Sequence, residues 1–232
     1  MVDTTVNTKD LLRLQAWLSP AFPIGSFSYS HGLEEVVARG DVVDTGGLFL
    51  WTETAVQSGG GRVDGMLLAE AWRSVDSSDN DRLTAVAELG AVMRGTSELA
   101  TESLSQGEAF LETAQAAWPD EAAETYARVL PTGRVALPVS VGLVAACHGV
   151  SLEVVLPMYL QSFAVGIVSA GLRLIPLGQT DGQRVIARLQ PVVERTTNAA
   201  IAANFADIGG AAAVIDLASM AHESRDGRLF RS

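Results

Sequence analysis

Val154-Val155-Leu156-Pro157-Met158-Tyr159-Leu160-Gln161-Ser162-Phe163-Ala164-Val165-Gly166-Ile167-Val168-Ser169-Ala170-Gly171-Leu172 is the stretch on which the fold turns, because it holds no charged residue. As a helix its 19 residues reach about 28 Å, close to the thickness of a bilayer core. An all-round apolar helix suits two solvents, lipid or the interior of a protein. Pro157 and Gln161 lie inside the stretch, Glu153 and Arg173 close its ends, and Ala, Gly and Ser fill much of the rest. That composition favours the buried central helix of an all-α domain over a membrane span.

Outward from this stretch the same period continues. Residues 135–148 form a neighbouring apolar helix, divided from the central one at Gly149 with Ser151 as cap. Ile175-Pro176-Leu177-Gly178-Gln179 closes the run, and further helices follow over about 183–206 and 208–222, parted near Gly209-Gly210. Toward the start, Leu11, Leu12, Leu14, Trp17 and Leu18 make a short stripe stopped by Pro20. A connector rich in Pro and Gly, Pro20-Ala21-Phe22-Pro23-Ile24-Gly25, precedes a helix expected from about Ser26–Ser30 to Gly40. Asp44 or Thr45 caps the next, Gly59-Gly60-Gly61 breaks it, and residues 62–75, 83–93, 97–117 and 120–130 carry helical spacing. No stretch sustains strand alternation; residues 185–189 come nearest. The prediction is a single-domain helical bundle of about eight to ten helices: residues 1–10 a flexible start, 11–222 the domain, 223–232 a polar tail.

The 232 residues suffice for one substantial core, and hydrophobic residues make up 48% of them. A formal charge of −11 would repel a nucleic-acid backbone, and no basic patch in the body of the chain overrides it. A single cysteine, Cys147, excludes a disulfide within the chain. The opening Met1-Val2-Asp3-Thr4-Thr5 has no basic region leading into an apolar run, so a cytoplasmic protein is expected.

Familiar catalytic signatures are missing. Gly59-Gly60-Gly61-Arg62 lacks the lysine of a phosphate loop, and Lys9 is the only lysine. No Gly-x-Ser-x-Gly elbow occurs, and Glu34-Glu35 or Glu121 with Glu124 read as solvated helix faces rather than paired acids. Cys147 and His148 diverge by about 100° on a helix, and Cys147 sits in an apolar run as an inert thiol. No permanent metal site is expected; Cys147 and His222, beside Glu223, are at most weak, transient candidates.

The most specific text is Leu18-Ser19-Pro20-Ala21-Phe22-Pro23-Ile24-Gly25-Ser26-Phe27-Ser28-Tyr29-Ser30-His31-Gly32-Leu33-Glu34-Glu35. It closely resembles the opening signature of the urease accessory protein UreF family. Three further blocks resemble that family's in the same order. They are Arg94-Gly95-Thr96-Ser97-Glu98-Leu99 with Glu102 and Gly107; Pro138-Val139 and Gly142 leading to Leu174-Ile175-Pro176-Leu177-Gly178-Gln179 and Gly182-Gln183; and His222-Glu223 with Arg228-Leu229-Phe230-Arg231-Ser232. Gly95 departs from the pattern, since the family commonly carries an acidic residue there.

The resemblance implies an all-helical, dimerising, non-catalytic protein that serves urease maturation. It implies a bridge between a UreD/UreH-type accessory protein and the GTPase UreG, with apo-urease as client. Nickel and GTP would be handled by the partner complex, with no cofactor bound permanently, and the family is thought to form part of an internal path for nickel. The interface candidates are Phe22, Ile24, Phe27 and Tyr29 as aromatic and aliphatic anchors, with Ser30, Glu34 and Arg94 beside them. Gln179, Gly182 and Gln183 form a polar loop. The tail offers Arg225, Arg228 and Arg231 around Leu229 and Phe230, a flexible end ordered on a partner. Removing residues 223–232 is therefore expected to weaken complex formation with little loss of the isolated fold. A small helical hydrolase and a membrane component built on residues 154–172 are the rival classes.

Overall fold

The computed structural model describes residues 7–232. Among these it is all helical, with eleven α-helices and two single 3-10 turns in one bundle. The helices are α1 (Thr8–Trp17), α2 (Leu33–Arg39), α3 (Thr45–Gln57), α4 (Gly60–Asp76), α5 (Asn80–Val92), α6 (Ser97–Ala117), α7 (Glu121–Val129), α8 (Leu137–Cys147), α9 (Leu152–Leu174), α10 (Gln179–Ala202) and α11 (Ala213–Glu223).

α9 is the central element, packed against α3, α4 and α10. Val155, Leu156, Leu160, Ala164, Ile167 and Val168 are buried along one side. The helix is long and apolar enough to cross a membrane, yet half of its apolar window is buried inside the bundle. The other side is less enclosed than an all-round core helix. Met158, Ser162, Phe163 and Val165 line a cavity instead. An apolar surface on both sides is therefore explained twice, by packing on one and by a cavity wall on the other.

α8 is clamped between α4 and α6 by close backbone approach. A Cβ on Gly142 would lie 2.5 Å from the Leu68 carbonyl oxygen, and one on Gly107 only 2.0 Å from that of Val135. Neither position has room for any side chain, which accounts for two glycines inside otherwise regular helices.

Several boundaries differ from the sequence reading, each for a local reason. α1 begins at Thr8, capped by the Asn7 side chain, so residues 8–10 are helical rather than frayed; residues 1–6 of the expected flexible start lie outside the described residues. The helix expected from about residue 26 is only a 3-10 turn, Ser26–Ser28, and α2 starts at Leu33. His31 and Gly32 intervene with φ of 52° and 74°, left-handed backbone that a right-handed helix cannot pass through. α11 starts at Ala213, later than expected, because the segment before it is tied to α3's end: the Ala211 amide donates to the Ser58 carbonyl at 2.8 Å. Residues 185–189, the nearest strand candidate, lie within α10. Asp44 and Asp120 cap α3 and α7 as expected.

Candidate functional site: a docked C-terminal segment beside a polar cavity

α2 and α11 pack so closely that a Cβ on Gly32 would sit 3.0 Å from the Ser219 amide nitrogen. This brings Glu34, at the start of α2, against His222, at the end of α11. His222 is fully buried, with Nε2 3.1 Å from Glu34 and Nδ1 2.8 Å from Glu98 on α6. Glu34 also accepts the Leu229 amide at 2.8 Å and the Phe230 amide at 2.9 Å. Burial alone would push its carboxyl up, but these three hydrogen bonds outweigh burial and hold it below the usual carboxylate range. Glu98 takes Arg228 on its other oxygen. Glu223 caps α6, accepting the Ser97 amide at 2.9 Å.

The last residues are thus fastened along the chain's own opening signature. The Arg231 amide donates to the Ser28 carbonyl at 2.7 Å, and the Ser30 amide donates to the Ser232 carbonyl at 2.9 Å. Glu35 holds Arg225 at 3.2 Å and Arg39 at 2.7 Å. Side chains alternate as in an extended strand. Phe230 points inward, 3% exposed, with the Arg173 guanidinium 4.3 Å above its ring, while Leu229 is 65% exposed and Arg231 faces solvent.

Behind Glu102 lies the cavity, about 530 Å³, walled by Leu14, Trp17, Met158 and Phe163 and carrying a buried polar end. There Arg94 pairs with Asp64, and the Tyr159 hydroxyl donates to Asp64 at 2.9 Å. His31 stands 3.4 Å from Glu102, which accepts from Gln106 and from the Ser232 hydroxyl, each at 3.2 Å. Burial, with Arg94 nearby, lowers His31 to about 4; burial pushes Glu102 up to about 8 against the pull of Arg94. Near pH 7 the His31–Glu102 contact is therefore mainly a neutral pair, and the Asp64–Arg94 pair cancels its own charge. The polar end is braced rather than charged.

The interface candidates divide sharply. Phe22 and Tyr29 are buried, Phe22 against Phe110 and Trp118, and Ile24 is half-buried on the cavity wall. Glu34, Arg94 and Phe230 are spent inside the chain, so none of these presents an exposed anchor. Phe27, 67% exposed, does, and it adjoins Ser28, whose carbonyl holds Arg231. Gln179 and Gln183 are exposed on the first turns of α10, while Gly182 is buried against Leu172. Arg225 and Arg228 are partly engaged by Glu35 and Glu98. The tail expected to be flexible is docked, with Phe230 and Ser232 buried, which argues against the expectation that its removal spares the isolated fold.

The transient metal candidates are also accounted for. Both nitrogens of His222 are occupied by carboxylates, and burial pushes the half-buried Cys147 thiol up to about 12, far from a ready thiolate. No group of three or more His, Cys, Asp or Glu side chains among the described residues is placed to hold a metal ion. Sequence reasoning missed Asp64, Tyr159 and the pairing of Glu102 with His31. Asp64 left one readable trace, a carboxylate three and four residues before Leu67 and Leu68 on the apolar face of α4.

Together these features define an all-α protein whose buried polar groups brace one another and a docked segment. The family model for UreF matches residues 42–190. A urease accessory protein UreF of Rhodopseudomonas palustris (strain HaA2) is 46% identical over 96% of this chain and 93% of its own length. One of Bradyrhizobium sp. (strain BTAi1 / ATCC BAA-1182) is 44% identical over 99% and 95%. The chain belongs to the UreF family of urease accessory proteins.

Proposed function

We propose that this protein is a non-catalytic co-chaperone of urease maturation in the cytoplasm. It bridges a UreD/UreH-type protein and the GTPase UreG, acts as a homodimer within that complex, and has apo-urease as client. Similarity to urease accessory proteins over nearly the whole chain carries this reading. Its work is differential binding, biasing which nucleotide and metal states of the GTPase are held in the complex. Nickel is cargo, and nickel and GTP are assigned to the partner complex, because Arg94 opposes a dication beside Asp64 and Glu102 in this chain's own cavity.

The partner surface in this reading is the exposed side of the docked segment. Phe27, Leu229 and Arg231 combine two apolar side chains with a planar cation, the composition of an interface anchor. Gln179 and Gln183 form a second, polar contact. Co-purification with the two accessory partners tests the bridge, and failure of every pairing under native conditions sinks it. Leu229→Ala combined with Phe27→Ala is expected to weaken capture of the UreD/UreH-type protein about tenfold or more while leaving the circular dichroism spectrum unchanged. Turnover of a substrate by the purified chain alone would favour an enzyme instead.

A further inference from the structure

The hydrogen bonds at the buried end of the cavity leave some of its polar atoms unused. Asp64 is complete, with Arg94 on one oxygen and the Tyr159 hydroxyl on the other. Glu102 is complete too, with the Gln106 amide on one oxygen and the Ser232 hydroxyl on the other. Arg94 spends a single nitrogen, Nη2, on Asp64 and, at 3.5 Å, on Ser103. Among the described residues no side chain or backbone acceptor meets its remaining N–H groups, although the side chain is only 10% exposed. Gln106, 4% exposed, bonds through one end of its amide alone, so the other end has no partner whichever way the amide is oriented. Buried polar groups are ordinarily paired. Two that are not, both on the wall of one cavity, point to a ligand.

We propose that this cavity binds a small uncharged amphiphile, an apolar body carrying one hydroxyl or carboxamide, with that head against Arg94 and Gln106. The walls set the body: Leu14, Phe110, Leu137, Val141, Met158 and Phe163 offer only apolar surface. Water would serve the two unpaired groups but not the walls around them. The fixed charges set the head. A cation placed there meets Arg94, and an anion meets the carboxylates of Asp64 and Glu102, so either sign loses its hydration against a like charge. A hydroxyl or carboxamide oxygen accepts from Arg94, and the same head can complete the Gln106 amide.

Size and access agree with this. The volume of about 530 Å³ falls within the roughly 300–1,000 Å³ usual for small-molecule sites. Exposed Gln15, Gly166 and Ser169 mark a mouth between α1 and α9, on the side of α9 that the bundle leaves less enclosed. Nothing lies within 4 Å of where a Cβ on Gly166 would stand, so the mouth is open there. The site does not rest on the partner assignments above; of the residues named for them, Phe27 alone also lines the cavity.

The test uses the full-length protein at neutral pH and four probes of one chain length: octan-1-ol, octanamide, octanoate and octylammonium. The methyl NMR signal of Met158, which stands in the wall, reports occupancy. Octan-1-ol and octanamide are expected to shift it saturably, and the two charged probes to bind about tenfold more weakly or worse. Gln106→Met, which keeps the length of the side chain and removes the amide, should weaken octanamide about threefold to tenfold. If that variant does not fold, the ranking of the four probes on the unaltered protein decides alone. No saturable shift with either neutral probe, or charged probes that bind as well as neutral ones, overturns the proposal. So does octanamide affinity unchanged in folded Gln106→Met. A Met158 signal that moves with protein concentration and not with probe shows the cavity covered by a second copy, and overturns it as well.

Discussion

Arg94 and Asp64 show what a single pair decides inside this bundle. Both are nearly enclosed, and each charge is acceptable there only because the other is present. Arg94→Leu should cost about 3–5 kcal/mol in urea unfolding, because Asp64 is left buried with only the Tyr159 hydroxyl. Adding Asp64→Leu should recover a large part of that loss; if the double variant is no more stable than the single, the pair is not what holds this region. Gly95 belongs to the same scale. A Cβ there would lie 3.2 Å from an Asp216 oxygen, so the acidic residue common at that position in the family would meet a second carboxylate here.

Among the elements, the docked segment is the one whose behaviour the sequence misrepresented. Its composition, three arginines around Leu229 and Phe230, reads as a solvated end. Its partners are Glu34, Glu98 and Ser30, and nothing in a linear text pairs positions 195 apart, as Glu34 and Leu229 are. Phe230→Ala should lower stability by about 3–5 kcal/mol if the side chain behaves as a core phenylalanine. For a chain of this size that corresponds to a melting point lower by roughly 6–20 °C. A thermal melt checks it, and an unchanged midpoint would mean that the segment is dispensable to the body. By contrast α9, α8, and the caps of α3 and α7 were legible, because period, apolar content and an aspartate at a boundary are local signals. The start of α2 was not, since the left-handed turn at His31 leaves no mark beyond the glycine that follows it.

For the whole molecule, the two strongly shifted groups of the cavity impose a pH dependence on stability. Glu102 titrates near 8 in the fold against an ordinary value of 4.5, so the folded state holds an extra proton between those values and stability falls as pH rises. His31 titrates near 4 against 6.5, so the unfolded state holds the extra proton there and stability rises with pH. The effects oppose one another from 4.5 to 6.5, leaving a net fall from 6.5 to 8. The urea midpoint should therefore drop across that upper window, and Glu102→Gln should flatten it; a wild-type midpoint that holds steady there contradicts the neutral His31–Glu102 pair. Fold class and family were readable at this scale, since a helical period and ordered motifs extend along the chain. The cavity was not, because its wall joins α1, α6, α9 and the connector after α1, stretches far apart in the sequence.

The fastening of residues 229–230 onto Glu34 also sets a schedule for biosynthesis. Glu34 leaves the ribosome 195 residues ahead of Leu229. At about 5–20 residues per second, that is a wait of roughly 10–40 s. Throughout it, α2 emerges with an acidic residue whose two amide donors have yet to be translated, so the opening signature is the first part written and the last to settle. A nascent-chain complex stalled before residue 229 should consequently expose the region around Ser30 to protease, although every residue of that region has already been made.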